Sequence, residues 1–307
     1  MKSLLVTGSS GFVGTYFINK YKDKYNIQTF SFLKDGFETL HIKSVDVVFH
    51  LSALVHQMGG ASKEEYEKVN VTQTLELAKK AKRSGVKHFV FMSSIKVYGE
   101  ETNIAYTESS ECKPEDEYGK SKLKAEQELQ KLEDENFKIS IIRTPIVYGY
   151  GVKANIKNLV SLVSKVPVLP FGGIENRRSM VFVGNLCHIV DVLIEKQMNG
   201  VFLAADEKPL STTRLIELIA DGLGKKVYLI KVPFFESLLK LVKPSFYKRL
   251  YGSLEVDNTQ TMKRLFGEAE ASLPKSGEIE VLLPFSVEDG IRLMLNSAPK
   301  GISVGRF

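Results

Sequence analysis

The chain has 307 residues, 43% of them hydrophobic and 25% charged, with a formal charge of +6. That balance predicts a folded protein with a large core and excludes disordered, collagen-like and repeat architectures. Two cysteines, Cys112 and Cys187, and five dispersed histidines give no metal-ligand spacing and no disulfide framework, so no metal is expected.

The opening apolar run, Leu4-Leu5-Val6, is too short for a signal-peptide core, and no apolar stretch reaches the roughly 20 residues of a membrane span. A cytoplasmic protein with no membrane insertion is expected. The lysines read as scattered rather than clustered with aromatics, so nucleic acid is not an expected partner. The mild basic excess fits a solvated surface or attraction for an anionic substrate.

In chain order, Ser3–Thr7 reads as a buried strand. Residues 12–21 read as a helix, with apolar positions at 12, 13, 16 and 17. Strands follow at 27–32 and 45–52, the latter apolar almost throughout, as for a strand covered on both faces. Only residues 33–44 separate them, too few for a full helix–strand–helix excursion, so one short helix and a trimmed sheet edge are expected there. Residues 64–83 read as a helix with Tyr66, Val69, Leu75, Ala78 and Ala81 on one stripe. A strand at 88–93, a Lys/Glu-rich helix at 118–132 and a strand at 138–143 complete the alternation. Beyond 145, prolines and glycines mark loops, with a strand at 179–183 and a helix at 186–197. The pattern predicts an α/β fold, a doubly wound parallel sheet with a smaller C-terminal substrate lobe. Residues 1–150 and about 177–203 are assigned to the nucleotide-binding domain, about 151–176 and 204–307 to the lobe.

Between the first strand and helix lies Gly8-Ser9-Ser10-Gly11-Phe12-Val13-Gly14. One glycine permits the tight turn, another allows a pyrophosphate to approach the backbone, and the third lets helix pack on sheet. The helix N-terminus then offers N–H groups to phosphate. Dinucleotide binding through Gly8, Ser10, Gly11, Phe12, Val13 and Gly14 is the expectation. No acidic residue ends the second strand, although Asp35 follows shortly after. Ser31 and Lys34 instead suit a 2′-phosphate, so the cofactor is read as NAD(P)(H) with a lean to NADP(H).

Tyr118 and Lys122 stand four apart on a predicted helix and share a face. A phenol with a pKa of about 10 is a poor base at neutrality, and a nearby ammonium favours its ionised form. Ser93-Ser94 ends an earlier strand, where a parallel sheet collects its ligands.

On these residues the chain resembles the extended short-chain dehydrogenase/reductase superfamily, a Rossmann-like group, and in particular its nucleotide-sugar epimerases, dehydratases and reductases. Further carriers are residues 46–53, Val69-Asn70-Val71, Ser93-Ser94-Ile95-Lys96-Val97-Tyr98-Gly99 and Arg143-Thr144-Pro145-Ile146-Val147-Tyr148-Gly149. The resemblance implies Ser94, Tyr118 and Lys122 as catalytic residues. It implies cofactor contacts from Leu51, Ser52, Ala53, Asn70, Tyr118, Lys122, Thr144 and Pro145, with Asn70 near the active site. His56, Ser94, Lys153, Asn155 and Arg178 are implied at the substrate, Arg178 gripping a sugar-nucleotide diphosphate. A surface role for Arg178 and an ordinary loop role for His56 stay open. A homodimer through helices 64–83 and 118–132 is expected by analogy.

Dehydratases of this kind carry an Asp-Glu pair where Ile95-Lys96 stands, which disfavours dehydration. Two nucleotide-sugar reactions at C4 remain. The sequence favours reduction of a UDP-4-keto-6-deoxy-hexosamine over 4-epimerisation of a UDP-hexose, with a non-catalytic NADP sensor and an apolar-alcohol reductase behind them.

Overall fold

A computed structural model describes residues 1–55, 61–152, 154–267 and 283–296. Six parallel strands form the central sheet in the order β2-β1-β3-β4-β5-β9. They are β1 (Ser3–Thr7), β2 (Asn26–Phe30), β3 (Val47–His50), β4 (His88–Ser94), β5 (Lys138–Thr144) and β9 (Gly200–Leu203). Alternate residues feed two cores, as the period-2 strand geometry requires. Leu5, Val48, Phe89, Phe91 and Ile141 face one core, and Leu4, Val6, Phe49, Val90 and Ile142 face the other. The first core is closed by α3 (Gln73–Arg83) and α4 (Glu117–Gln130), the second by α1 (Phe12–Tyr21) and α6 (Val183–Lys196).

The shortened connection after β2 holds a single 3-10 turn, Phe37–Thr39, and β2 becomes the sheet edge. The trimming read from the chain length is thus present, with a turn in place of the expected short helix. The expected helix at 64–83 is built in three parts: α2 (Lys63–Tyr66), a π-helical segment Glu67–Thr72, and α3. Ser62 and Glu65 close a capping box at its start. The π-turn moves the buried stripe to Tyr66, Asn70, Val71, Thr74, Leu77, Ala78 and Ala81, so the predicted Val69 and Leu75 are only partly covered.

Beyond β5, β6 (Ile146–Tyr148) pairs in parallel with β8 (Met180–Phe182), and α5 (Ala154–Lys165) lies between them in sequence. The short strands β7 (Val168–Leu169) and β10 (Tyr228–Leu229) pair with each other. Helices α7 (Thr212–Gly222), α8 (Phe235–Val242), α9 (Pro244–Tyr251), α10 (Thr259–Phe266) and α11 (Val287–Leu295) complete the lobe. Among the described residues no helix is long and apolar enough to cross a membrane, and no cluster could hold a metal ion. The exposed positions of α3 and α4 are polar, among them Glu76, Lys79, Arg83, Lys120, Lys124 and Gln127.

At the carboxyl end of β3, His50 is buried between Thr7, 2.6 Å from its Nδ1, and Thr74, 2.9 Å from its Nε2. Each ring nitrogen thus faces a threonine hydroxyl, and Thr7 Oγ1 also accepts from Ser52 N at 3.3 Å. Burial, assisted by the Lys122 charge, lowers its pKa to about 3. Because the unfolded chain binds this proton near 6.5 and the fold does not, stability is expected to fall as pH drops through that interval, towards about 3. His50→Gln, whose amide can keep both hydrogen bonds without titrating, is expected to flatten that dependence. Urea unfolding across the interval reads it, and an unchanged slope would contradict the assignment.

Candidate active site

The carboxyl ends of β1, β3, β4 and β5 converge on one edge of the sheet, where an open parallel sheet binds its ligands. Gly8 follows β1 with φ +68, and a Cβ there would stand 2.8 Å from Ser52 N and 2.9 Å from the Leu51 carbonyl carbon. Gly14, in the first turn of α1, leaves a Cβ only 2.5 Å from Gly8 O. The glycines therefore let three backbones meet, and Gly11 N closes the turn on Gly8 O at 3.0 Å. Gly11 caps α1 with no side-chain bond, and no acidic residue occupies the first turn. The N–H groups beside Ser10, Phe12 and Val13 thus face an anion-compatible end, so this cradle fits a dinucleotide pyrophosphate.

Leu51, Ser52 and Ala53 run along that cradle. Asn70, fully buried, fixes the segment's far end: its Oδ1 accepts from Leu54 N at 2.8 Å, and its Nδ2 donates to Leu54 O and Ser121 Oγ, each at 3.0 Å. Asn70 thereby ties the strand end to the helix bearing Tyr118 and Lys122, and its amide is spent on protein partners.

Asp116 starts that helix by accepting from Gly119 N at 2.6 Å. Tyr118 and Lys122 follow on the face turned to β4. Ser94, the last residue of β4, stands beside the Tyr118 phenol and lies in register with Thr144 on β5. Thr144 Oγ1 donates to Ser93 O at 3.0 Å, with Pro145 buried after it. Lys122 Nζ donates to Met92 O at 2.7 Å and sits 4.4 Å from the centre of the Phe91 ring.

The electrostatics of the trio are opposed. Burial lowers the Lys122 ammonium to about 7, resisted by the Glu126 carboxylate one turn along. Burial lifts the Tyr118 phenol above its ordinary value, Asp116 adds to that, and the Ser94 hydrogen bond works against it. Lys96 holds Asp116 at 2.6 Å and Glu100 at 2.6 Å, so a lysine and its carboxylates fill the place of a dehydratase acid pair.

Residues 4–204 match the model of the NAD dependent epimerase/dehydratase family. The chain is 39% identical over 295 residues to a UDP-glucose 4-epimerase of Vibrio cholerae, covering 86% of this chain and 90% of that protein. The chain belongs to the NAD-dependent epimerase/dehydratase family. It is also 23% identical to the N-acetyl-α-D-glucosaminyl-diphospho-ditrans,octacis-undecaprenol 4-epimerase of Escherichia coli O157:H7, over 94% of this chain and 93% of that one. A solved UDP-N-acetylglucosamine 4-epimerase from Bacillus cereus shares the fold, with a TM-score of 0.74 at 17% identity, over 95% of this chain and 97% of that one.

Against the family pattern, other assigned residues are placed as follows. Asp35, absent from the sequence assignment, folds back onto the end of β2, where its Oδ2 accepts from Ser31 N at 2.9 Å. Lys34 is exposed beside it. Arg178 turns its guanidinium to the C-terminal end of α9, donating to Gly252 O at 2.9 Å and Lys248 O at 3.4 Å. Burial lowers its pKa, with Glu100 and Glu101 opposing. Asn155 is exposed in the first turn of α5, and His56 and Lys153 lie outside the described residues. The Asp116–Lys96 pair and Glu126 were also missed, because their importance lies in contacts between β4, the following turn and α4 that a motif scan does not join.

The Asp116–Lys96 pair yields opposite variants. Asp116→Asn keeps the helix cap but removes the charge, and is expected to move the limb of the pH–rate profile set by Tyr118 down by about 0.5–1 unit. Lys96→Gln uncovers Asp116 and is expected to move that limb up by a similar amount. Parallel shifts in the two variants would refute the coupling.

Proposed function

We propose that this protein is an NAD-dependent 4-epimerase of nucleotide sugars, with a UDP-hexose as substrate. The observation that carries the reading is the 39% identity to a UDP-glucose 4-epimerase along most of both chains, joined to the Ser94–Tyr118–Lys122 arrangement at the sheet edge. The order of preference drawn from sequence, which put reduction of a 4-keto sugar first, gives way to its alternative. Epimerisation and reduction use the same three side chains, so the trio alone does not separate them.

The Gly8–Gly14 turn, the Leu51–Ala53 backbone, Thr144, Pro145 and Lys122 are the groups that would hold NAD, which when bound supplies a hydride acceptor and donor for C4. Tyr118 takes the proton of the sugar O4 and returns it. Ser94 stands beside the Tyr118 phenol and, in the same reach, orients the sugar oxygen. Lys122, its ammonium held against Met92 O and the Phe91 ring, stabilises the phenolate form. The protein works on a carbinol carbon with one proton carrier, which suits a reaction whose proton is taken and given back at the same oxygen. Arg178 is the guanidinium available for the diphosphate.

NAD is proposed over NADP because of Asp35. Its carboxylate at the tip of β2 is an acceptor for a ribose hydroxyl and repels a 2′-phosphate. The homodimer stays a proposal, and with polar outer faces on α3 and α4 it would rest on hydrogen bonds and ion pairs.

Purified protein is expected to interconvert UDP-glucose and UDP-galactose, or their N-acetylated forms, without added cofactor. Stoichiometric oxidation of NADPH by a UDP-4-keto-6-deoxy sugar, with no epimerisation, would restore the reductase reading. Tyr118→Phe is expected to slow turnover by about 10²–10⁴-fold while cofactor affinity is retained. Cofactor titration is expected to favour NAD over NADP by about tenfold or more, and Asp35→Ser to erase most of that difference. A wild-type preference for NADP would overturn the role given to Asp35.

A further inference from the structure

Residues 225–251 carry seven basic side chains against the single carboxylate of Glu236, an excess equal to the formal charge of +6 of the whole chain. The remainder of the protein is therefore neutral in sum, and the positive charge is concentrated on β10, α8 and α9. The same segment concentrates exposed apolar surface. Of fifteen large apolar side chains exposed among the described residues, eight fall within residues 228–246.

Helix α8 explains how both coexist. Phe235 and Leu239 pack inward against the lobe core, with Phe235 6.3 Å from the Phe171 ring centre. Phe234, Leu238, Leu241 and Val242 continue the same apolar face at helical spacing and are 87%, 57%, 83% and 62% exposed. The helix thus has one broad apolar face, and among the described residues only its Phe235–Leu239 edge is packed against the fold. Phe234 sits at the helix start with φ 59, a conformation unfavourable for a bulky residue, and its ring is directed away from the protein. Lys231, Lys240, Lys243 and Lys248 belong to the same segment and are exposed, Lys240 over the Tyr247 ring and Lys248 3.8 Å from the Glu101 carboxylate.

A soluble monomer gains nothing from leaving such a stripe in water. Its surroundings specify the occupant. An apolar strip bordered by long, flexible ammonium side chains matches a surface with an acyl interior and anionic headgroups, because lysine stems can lie along apolar material while their charges reach outward. A second copy of the same face would bring two lysine-rich rims together, which like-charge repulsion opposes.

We propose that the α8–α9 hairpin is an interfacial docking element that seats this protein on an anionic lipid bilayer. Phe234, Leu238, Leu241 and Val242 enter the headgroup boundary, and the lysines engage the phosphates. The proposal does not depend on the 4-epimerase reading. It adds a location for the lobe that carries Arg178, whose guanidinium closes the C-terminal end of α9.

The test is co-sedimentation of the full chain with vesicles of phosphatidylglycerol in phosphatidylcholine and with vesicles of phosphatidylcholine alone. Binding is expected to the first and to weaken at high salt. Phe234→Ser/Leu238→Ser/Leu241→Ser is expected to lower it by at least about tenfold, and Lys240→Glu/Lys243→Glu to a similar extent. These positions are exposed, so the near-ultraviolet circular dichroism of both variants and their turnover of a water-soluble substrate are expected to match wild type. Three outcomes overturn the proposal: no sedimentation with anionic vesicles, equal binding to both vesicle types, or unchanged binding by folded variants. A fourth is a wild-type dimer that the serine variant dissociates, with no vesicle binding by either, which would make the stripe a contact between copies of this chain.

Discussion

The buried ion pair between Glu126 and Arg143 is the interaction on which the catalytic end of the molecule depends. Arg143 on β5 reaches Glu126 on α4 at 2.6 Å, and their side chains are 7% and 2% exposed. Ser93 on β4 donates its hydroxyl to the same carboxylate, and Arg143 donates to Tyr98 at 2.7 Å. Two strands, one helix and the turn after β4 are thereby locked in one relative position. Such a pair contributes less net stability than its geometry suggests, since both ions have left water. Its effect is on arrangement: removing either partner strands a buried charge. Ser94 and Thr144 adjoin this network in sequence, and Lys122 precedes Glu126 by one helical turn. The carboxylate that positions the helix is also the one that opposes the loss of the Lys122 proton. Structure and proton chemistry meet in one side chain.

The cofactor end rests on a different principle, exclusion of side chains. Gly8 and Gly14 bring the first turn against the end of β3 so closely that a methyl group would strike backbone atoms. Thr7, His50 and Thr74 then cross-link β1, β3 and α3 by hydrogen bonds among uncharged groups. Keeping His50 neutral matters there, because a second cation close to Lys122 would disfavour both ammonium and imidazolium. The two ends are coupled through Asn70, whose side-chain amide holds both the Leu54 backbone and the Ser121 hydroxyl.

Much of this was legible in the chain. Continuous apolar runs gave the strands because a doubly covered parallel sheet has no polar face. The glycine turn and the Tyr118–Lys122 spacing were legible because they are local. Non-local features were not. The π-turn at Glu67–Thr72 inserts a polar Asn into a buried position, so an apolar periodicity scan passes over it. Asp35 is five residues past the strand end in sequence, yet the loop returns its carboxylate to Ser31 N, and the apparent lack of an acidic residue there was a feature of the linear register only. The lysines between 225 and 251 were read as scattered because their clustering with apolar side chains emerges only when the apolar face of α8 is seen to have a packed edge and an exposed one.

The last constraint concerns direction. A trio of Ser94, Tyr118 and Lys122 stabilises proton transfer at one oxygen equally for oxidation and reduction, since a catalyst lowers both directions of a step together. What distinguishes an epimerase is that the sugar is oxidised and reduced within one binding event, so the cofactor must stay while the sugar turns. The tight Gly8–Ser52 contact and the Asn70 clamp make the cofactor end rigid. Arg178, by contrast, is anchored to carbonyls at the end of α9 and not to the sheet. The sequence-based preference for reduction weighed the stretches 94–97, 151–155 and 174–179 together with the missing second-strand acid, and the return of the Asp35 carboxylate to Ser31 N removes the last of these grounds.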